Sequence, residues 1–180
     1  MHNLKFVFLC VTVLCACHRG LEKDAVLVTV NGTSIRRSEL DKNVALRMGL
    51  KAIHALPKEV YRKILEDLID KRLILQKIEM QPIRITEDDV KRAISEMRGG
   101  WASDDYEKEL HELGMTGVEI DAMIREQIQI EKYLREEVLS RIALGNEQAV
   151  RSQEALKEFV KNLRGQADIQ ISEGEFAKLY

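Results

Sequence analysis

Residues 58–80 read KEVYRKILEDLIDKRLILQKIEM and are bracketed by Pro57 and Pro82. Val60, Ile64 and Leu68 recur at helical spacing, as do Leu65, Ile69 and Leu73, followed by Ile74 and Ile78. Together they make an apolar stripe too broad for one neighbour to cover. A helix with that stripe has to be wrapped by other elements, so the chain is expected to build a mainly helical core around it. Pro57 suits a first helical turn, where its missing N–H is harmless, and Pro82 ends the run. Glu59 with Lys63, and Asp67 with Lys71, are expected as i,i+4 pairs outside the stripe.

The flanking segments are shorter. "VLVTVNGTSI", Val26 to Ile35, reads as two strands around Asn31-Gly32, a strong hairpin dipeptide. Ser38 is the expected N-cap of a helix from about Glu39 to about Ile53. Thr86, with Asp89 three residues on, opens a helix from about Glu87 to Arg98, which Gly99-Gly100 break. Ser103 precedes a short helix, "DDYEKELHEL", closed by Gly114. Thr116 and Glu119 form a second capping box, starting a long helix to about Ile142. Its expected inward residues are Ile120, Met123, Ile124, Ile128, Leu134 and Val138. A final helix runs from about Gln148 to Arg164, ending at Gly165, and "ADIQI" reads as a strand. The fold class is therefore mainly α, with a small β element formed by the N-terminal hairpin and the C-terminal strand. Ile169 and Ile171 are expected to pair back onto Val26–Val30.

The N-terminus reads differently. The apolar run Phe6 to Ala16 follows a single lysine and is too short to span a bilayer, which takes about 20 residues. Its length suits the h-region of a signal peptide. It ends in Leu14-Cys15-Ala16-Cys17, which resembles a bacterial lipobox. That resemblance implies cleavage after Ala16 and lipidation of Cys17. Residues 1–16 are then a lipoprotein signal peptide, 17–25 a lipidated tether and 26–180 one folded domain. The rival readings are weaker. "CACH" is one residue short of a C-x-x-C-H haem motif, and Cys15, Cys17 and His18 fall short of the four ligands of a structural zinc site. After cleavage no second cysteine remains for a disulfide, so stability rests on packing. About 164 residues suffice for one ordinary core. The net charge of −2, with no basic stripe, offers nothing to nucleic acid.

Four segments in order carry a wider resemblance: "VNGTSIRRSEL", "ILEDLIDKRLILQ", "ITEDDVKRAISEM" and "LHELGMTGVEIDAMIREQIQIEKYL". Together they resemble the N-terminal chaperone domain of the SurA family, periplasmic chaperones and parvulin-type prolyl isomerases with PrsA and PpiD as relatives. The likeness covers about Val28 to Leu139, with a weaker stretch from Glu154 to Ile171. In the family the second stretch is the returning helix and strand, here about 148–171. Members usually insert one or two parvulin domains before that return. Only about 15 residues lie between Val138 and Glu154 here.

No catalytic set stands out in the sequence. His18 lies in the tether, and His54 and His111 are isolated. Glu87-Asp88-Asp89 and Asp104-Asp105 sit at expected helix starts, where the dipole favours acids. No catalytic residue, cofactor or metal is assigned. Met97, Trp101, Tyr106 and Met115, around the Gly99-Gly100 break, are the candidate peptide-binding residues, since flexible thioethers and aromatic rings adapt to many partners. Leu46, Met48 and Leu50 form a second candidate.

The resemblance implies a membrane-anchored chaperone without isomerase catalysis. Its partners would be unfolded or nascent envelope proteins, and the membrane through its N-terminal lipid. The alternatives are a dedicated assembly factor for one secretion, polysaccharide-export or outer-membrane complex, and a prolyl isomerase with a degenerate site. His18 at the position after Cys17, rather than aspartate, points to the outer membrane in a Gram-negative envelope.

Overall fold

In the computed structural model, which describes residues 24–49, 51, 53, 56–98, 108, 112, 115–142 and 148–179, Asn31 and Gly32 take φ of 48° and 81°. Two successive left-handed residues are what a tight hairpin turn requires. They join β1 (Val26–Val30) to β2 (Thr33–Arg36). β3 (Ile169–Ile171) pairs antiparallel with the other edge of β1, giving the order β2-β1-β3. Val28 faces Ile171 and Val30 faces Ile169, so the expected return of the chain onto the first strand is present.

The β1–β2 register shifts between Val26 and Val28. Such a bulge breaks the in–out alternation of a strand, and the consecutive Leu27 and Val28 are both fully buried. β1 is accordingly packed by both the long helix Lys58–Met80 and the short C-terminal helix Glu173–Phe176.

Helix α1 spans Arg37–Met48, starting earlier and stopping sooner than the sequence suggested. Gly49, at φ 84°, ends it with its N–H on the Ala45 carbonyl at 2.8 Å. Ser38 is not its N-cap. Its N–H and Oγ both donate to the Asp24 carboxylate, at 3.0 and 2.6 Å. A residue from before β1 thus caps α1, and the Ser38 hydroxyl holds the Asp24 carboxyl below its ordinary range.

Helix α2 spans Lys58–Met80 and buries Tyr61, Ile64, Leu65, Leu68, Ile69, Leu73, Ile74 and Ile78. Asp67 and Lys71 do not settle on each other. They reach out to Arg47 of α1 and to Glu126, at 2.5 and 2.6 Å. Helix α3 (Glu87–Arg98) opens on a reciprocal Thr86–Asp89 cap, and α4 (Gly117–Tyr133) on the Thr116–Glu119 capping box. The expected continuous helix to Ile142 is interrupted. A π-helical turn, Leu134–Val138, and a 3-10 turn, Leu139–Arg141, follow Tyr133. Tyr133 is buried, lies 6.1 Å from the Phe159 ring and donates its hydroxyl to Gln81. Beyond this anchor Leu134 and Val138 are only half-buried.

Helix α5 (Gln148–Gln166) runs through Gly165 rather than ending at it. After β3 comes α6 (Glu173–Phe176) and a 3-10 turn, Ala177–Leu179. This tail, which the sequence left unassigned, is core: Phe176 is fully buried and Leu179 nearly so. The Arg62 guanidinium lies 4.3 Å above the Phe176 ring and forks onto Glu173 at 3.0 and 2.7 Å.

The main core joins the sheet, α1, the first half of α2 and this tail. A second cluster gathers Ile74, Ile78, Ile130 and Tyr133 against Phe159, Val160 and Leu163. A third, Met115 with Ile120 and Ile124, sits between α3 and α4. The short helix expected after Ser103 lies outside the described residues, except that Lys108 and Glu112 are helical.

Candidate functional site

The C-terminal half of α2 meets the hairpin turn and α4 around an open cleft of about 640 Å³. Gln76 organises the hairpin side. Its Nε2 donates to the Val30 carbonyl at 3.1 Å and to Thr33 Oγ1 at 3.3 Å, and its Oε1 accepts from Asn31 Nδ2 at 2.8 Å. On the other side stand Glu126 and Gln129 of α4, with Glu126 steadied by Lys71. Leu75, Ile78, Met80, Pro82 and Ile83 supply the apolar lining. Ile78 is buried and Leu75 and Ile83 half-buried, whereas Met80 is 70% exposed. An apolar lining crossed by amide and carboxylate groups can take both side chains and backbone of an extended segment.

Met80 was missed by sequence reasoning, although a signal existed. It lies two residues beyond Ile78, off the buried stripe, in the last position of α2. A large apolar side chain there faces away from the core.

A second exposed apolar place lies on α1. Leu40, Val44 and Ala45 point into the core, while Leu46 and Met48 are 36% and 54% exposed. These are two of the three residues in the sequence's second candidate region. The third, Leu50, lies outside the described residues. Arg47 pairs with Asp67 and Glu39 with Arg72, so α1 runs antiparallel to α2. The 13 residues from Asp67 to Met80 separate the two places by roughly 20 Å along α2.

The first candidate set is only partly placed. Trp101 and Tyr106 lie outside the described residues, as do Cys17, His18, His54 and His111. Met97 belongs to α3, but its side chain is outside the description. Met115 is 6% exposed and packs with Ile120 and Ile124. Held there, it shapes the α3–α4 surface rather than reaching from it.

The acidic residues at the helix starts have structural partners. Glu87 receives a forked pair of hydrogen bonds from Arg125, at 3.0 and 2.8 Å, and this pairing holds its carboxyl below the usual range. Asp89 accepts from the Thr86 N–H and hydroxyl, which lower it likewise. Asp104 and Asp105 lie outside the described residues. Among the described residues no group of three or more His, Cys, Asp or Glu side chains is arranged to hold a metal ion. No helix among them is long and apolar enough to cross a membrane.

A comparison with protein families matches residues 4–134 to the SurA-like N-terminal domain. No curated protein matches the chain. The matched stretch carries the hairpin, α1 to α4 and every residue of the cleft, and its family is consistent with a chaperone role in the cell envelope. α5, β3 and α6 lie beyond it, yet complete the same sheet and core. The chain belongs to the SurA-like N-terminal domain family.

Proposed function

We propose that this protein is a membrane-anchored holdase of the cell envelope, tethered through lipid on Cys17. It binds unfolded or partly folded exported proteins and does not catalyse prolyl isomerisation. One observation carries the reading. Leu46, Met48 and Met80 are large apolar side chains left in water, and Met80 overhangs a cleft lined by Leu75 and Ile83. Adaptable apolar side chains beside a polar rim are what a non-selective binding surface needs. An extended segment of about six residues is as long as the roughly 20 Å that separates the two places along α2. Trp101, Tyr106 and Met97 are proposed as further peptide-binding residues, with Met115 supporting the α3–α4 surface from within its cluster. Family membership supports the envelope setting, and the lipobox-like Leu14-Cys15-Ala16-Cys17 supports the anchor.

The test is suppression of light scattering by an unfolded outer-membrane protein diluted from urea. The wild-type chain is expected to suppress aggregation. A Met48→Glu, Met80→Glu double variant, at an unchanged melting temperature, should lose most of that effect. Equal suppression by both would remove the surface from the reading. A proline-peptide assay should show no rate above background, and acceleration would return the isomerase alternative.

A further inference from the structure

α5 is 19 residues long and carries an apolar stripe of Ala155, Leu156, Phe159, Val160 and Leu163, yet none of its residues is buried. Phe159 and Leu163 lean on the Tyr133 cluster. Val160 leans on the same cluster and, with Leu156, also forms the floor of a groove of about 450 Å³. Lys157, Lys161 and Arg164 line it from α5, and Asp70 from α2.

The charges around this floor are one-sided. Among the described residues Asp70 is the only acid lining it, and it is taken by Arg164, whose Nε donates to it while Nη1 donates to Glu66 at 2.7 Å. Lys161 has Glu158 at 3.5 Å, and both of those side chains are more than half exposed. The groove thus presents two adjacent apolar side chains with two lysines beside them.

The spacing defines what would fit. Leu156 and Val160 are one helical turn apart, about 6 Å, and so are Lys157 and Lys161. A second helix with apolar residues at i and i+4, and acids at the neighbouring i and i+4, matches both rows at once. We propose that the α5 groove is a docking site for an acidic amphipathic helix of a partner protein. This site is separate from the cleft beside Met80 and does not depend on the holdase reading.

The experiment uses the full chain in detergent and a fluorescein-labelled helical peptide bearing Leu and Glu in that i,i+4 pattern. Its counterpart has every Glu replaced by Lys. The acidic peptide should bind in fluorescence anisotropy and the basic one should not. Raising salt should weaken binding, because the lysines are solvent-facing. A Lys157→Glu, Lys161→Glu double variant should lose about tenfold or more in affinity for the acidic peptide and gain affinity for the basic one. Both substitutions are on exposed side chains, and a Leu156→Ser variant checks the floor independently. Equal binding of both peptides, or acidic-peptide affinity unchanged in the charge-reversed chain, would overturn the proposal. So would lysine-dependent binding to phosphatidylglycerol vesicles without peptide binding, which would make the groove a lipid-facing surface. Loss of aggregation suppression with peptide binding intact would sink the holdase reading alone.

Discussion

Asn31 and Asp168 exchange two hydrogen bonds across 137 residues of sequence. The Asn31 N–H donates to the Asp168 carbonyl, and the Asp168 N–H donates to Asn31 Oδ1, each at 2.8 Å. Asn31 also donates through Nδ2 to Gln76 of α2. The residue that turns the hairpin therefore joins the start of β3 and the wall of the cleft. Its left-handed backbone suits asparagine among non-glycine residues. Asn31→Ala loses both side-chain bonds and strains the turn, so destabilisation by about 1–3 kcal/mol is expected in urea unfolding. Asn31→Gly relieves the strain alone and should still be less stable than wild type.

The C-terminal tail is expected to be indispensable. Phe176 is fully buried in the main core and stacked under Arg62. Phe176→Ala should lower stability by about 3–5 kcal/mol, read by chemical denaturation. A chain ending at Gln166 lacks β3, Phe176 and Leu179 and should show no cooperative unfolding. A sharp transition at the wild-type midpoint would make the tail peripheral.

Arg164 clamps α5 to α2 through Asp70, Glu66 and the Glu66 carbonyl. Burial tends to lower its pKa, but hydrogen bonds to Asp70 and Glu66 outweigh that and raise it. Arg164→Ala should cost about 1–2 kcal/mol, modest because solvent reaches the pair. Arg164→Lys should recover only part, since one ammonium cannot reproduce a forked guanidinium. Thermal melts of the two variants check the order.

Glu119 gives a pH signature. Lys42 first, then the Thr116 N–H and hydroxyl, hold its carboxyl down to about 2, from an ordinary 4.5. A lowered folded-state pKa means its stabilisation is fully present above about 4.5 and fades as pH falls toward 2. The melting-temperature gap between wild type and Glu119→Gln should hold constant above pH 4.5, narrow below it, and close near pH 2. A gap that is the same at pH 5 and pH 2 would contradict this role.

Local patterns were legible in the sequence. The α2 stripe named seven of that helix's eight buried residues, missing Tyr61 and including the half-buried Val60, and Asn31-Gly32 named the hairpin. Thr116 with Glu119 and Thr86 with Asp89 named two helix starts. Non-local partners were not. Asp24 caps α1 from before the first strand, and Asp67 and Lys71 prefer tertiary partners to each other. Four-residue α6 is too short to show a period, so Phe176 went unseen. Tyr133, where α4 gives way to the π turn, packs on Phe159 and bonds to Gln81, contacts that no spacing within α4 encodes. For the candidate surface, exposed Leu46 and Met48 were legible as apolar residues, and Met80 was legible as an apolar residue off the stripe, but the cleft it lines with Asn31, Thr33 and Glu126 depends on non-local contacts.

The most direct test of the holdase account is photocrosslinking in living cells through a photoreactive residue at Met80, with mass spectrometry of the captured chains. The account predicts a broad set of unrelated exported proteins, reduced when Met48 is changed to Glu. Repeated capture of one or two products, unaffected by that change, would contradict it and identify a dedicated assembly factor instead.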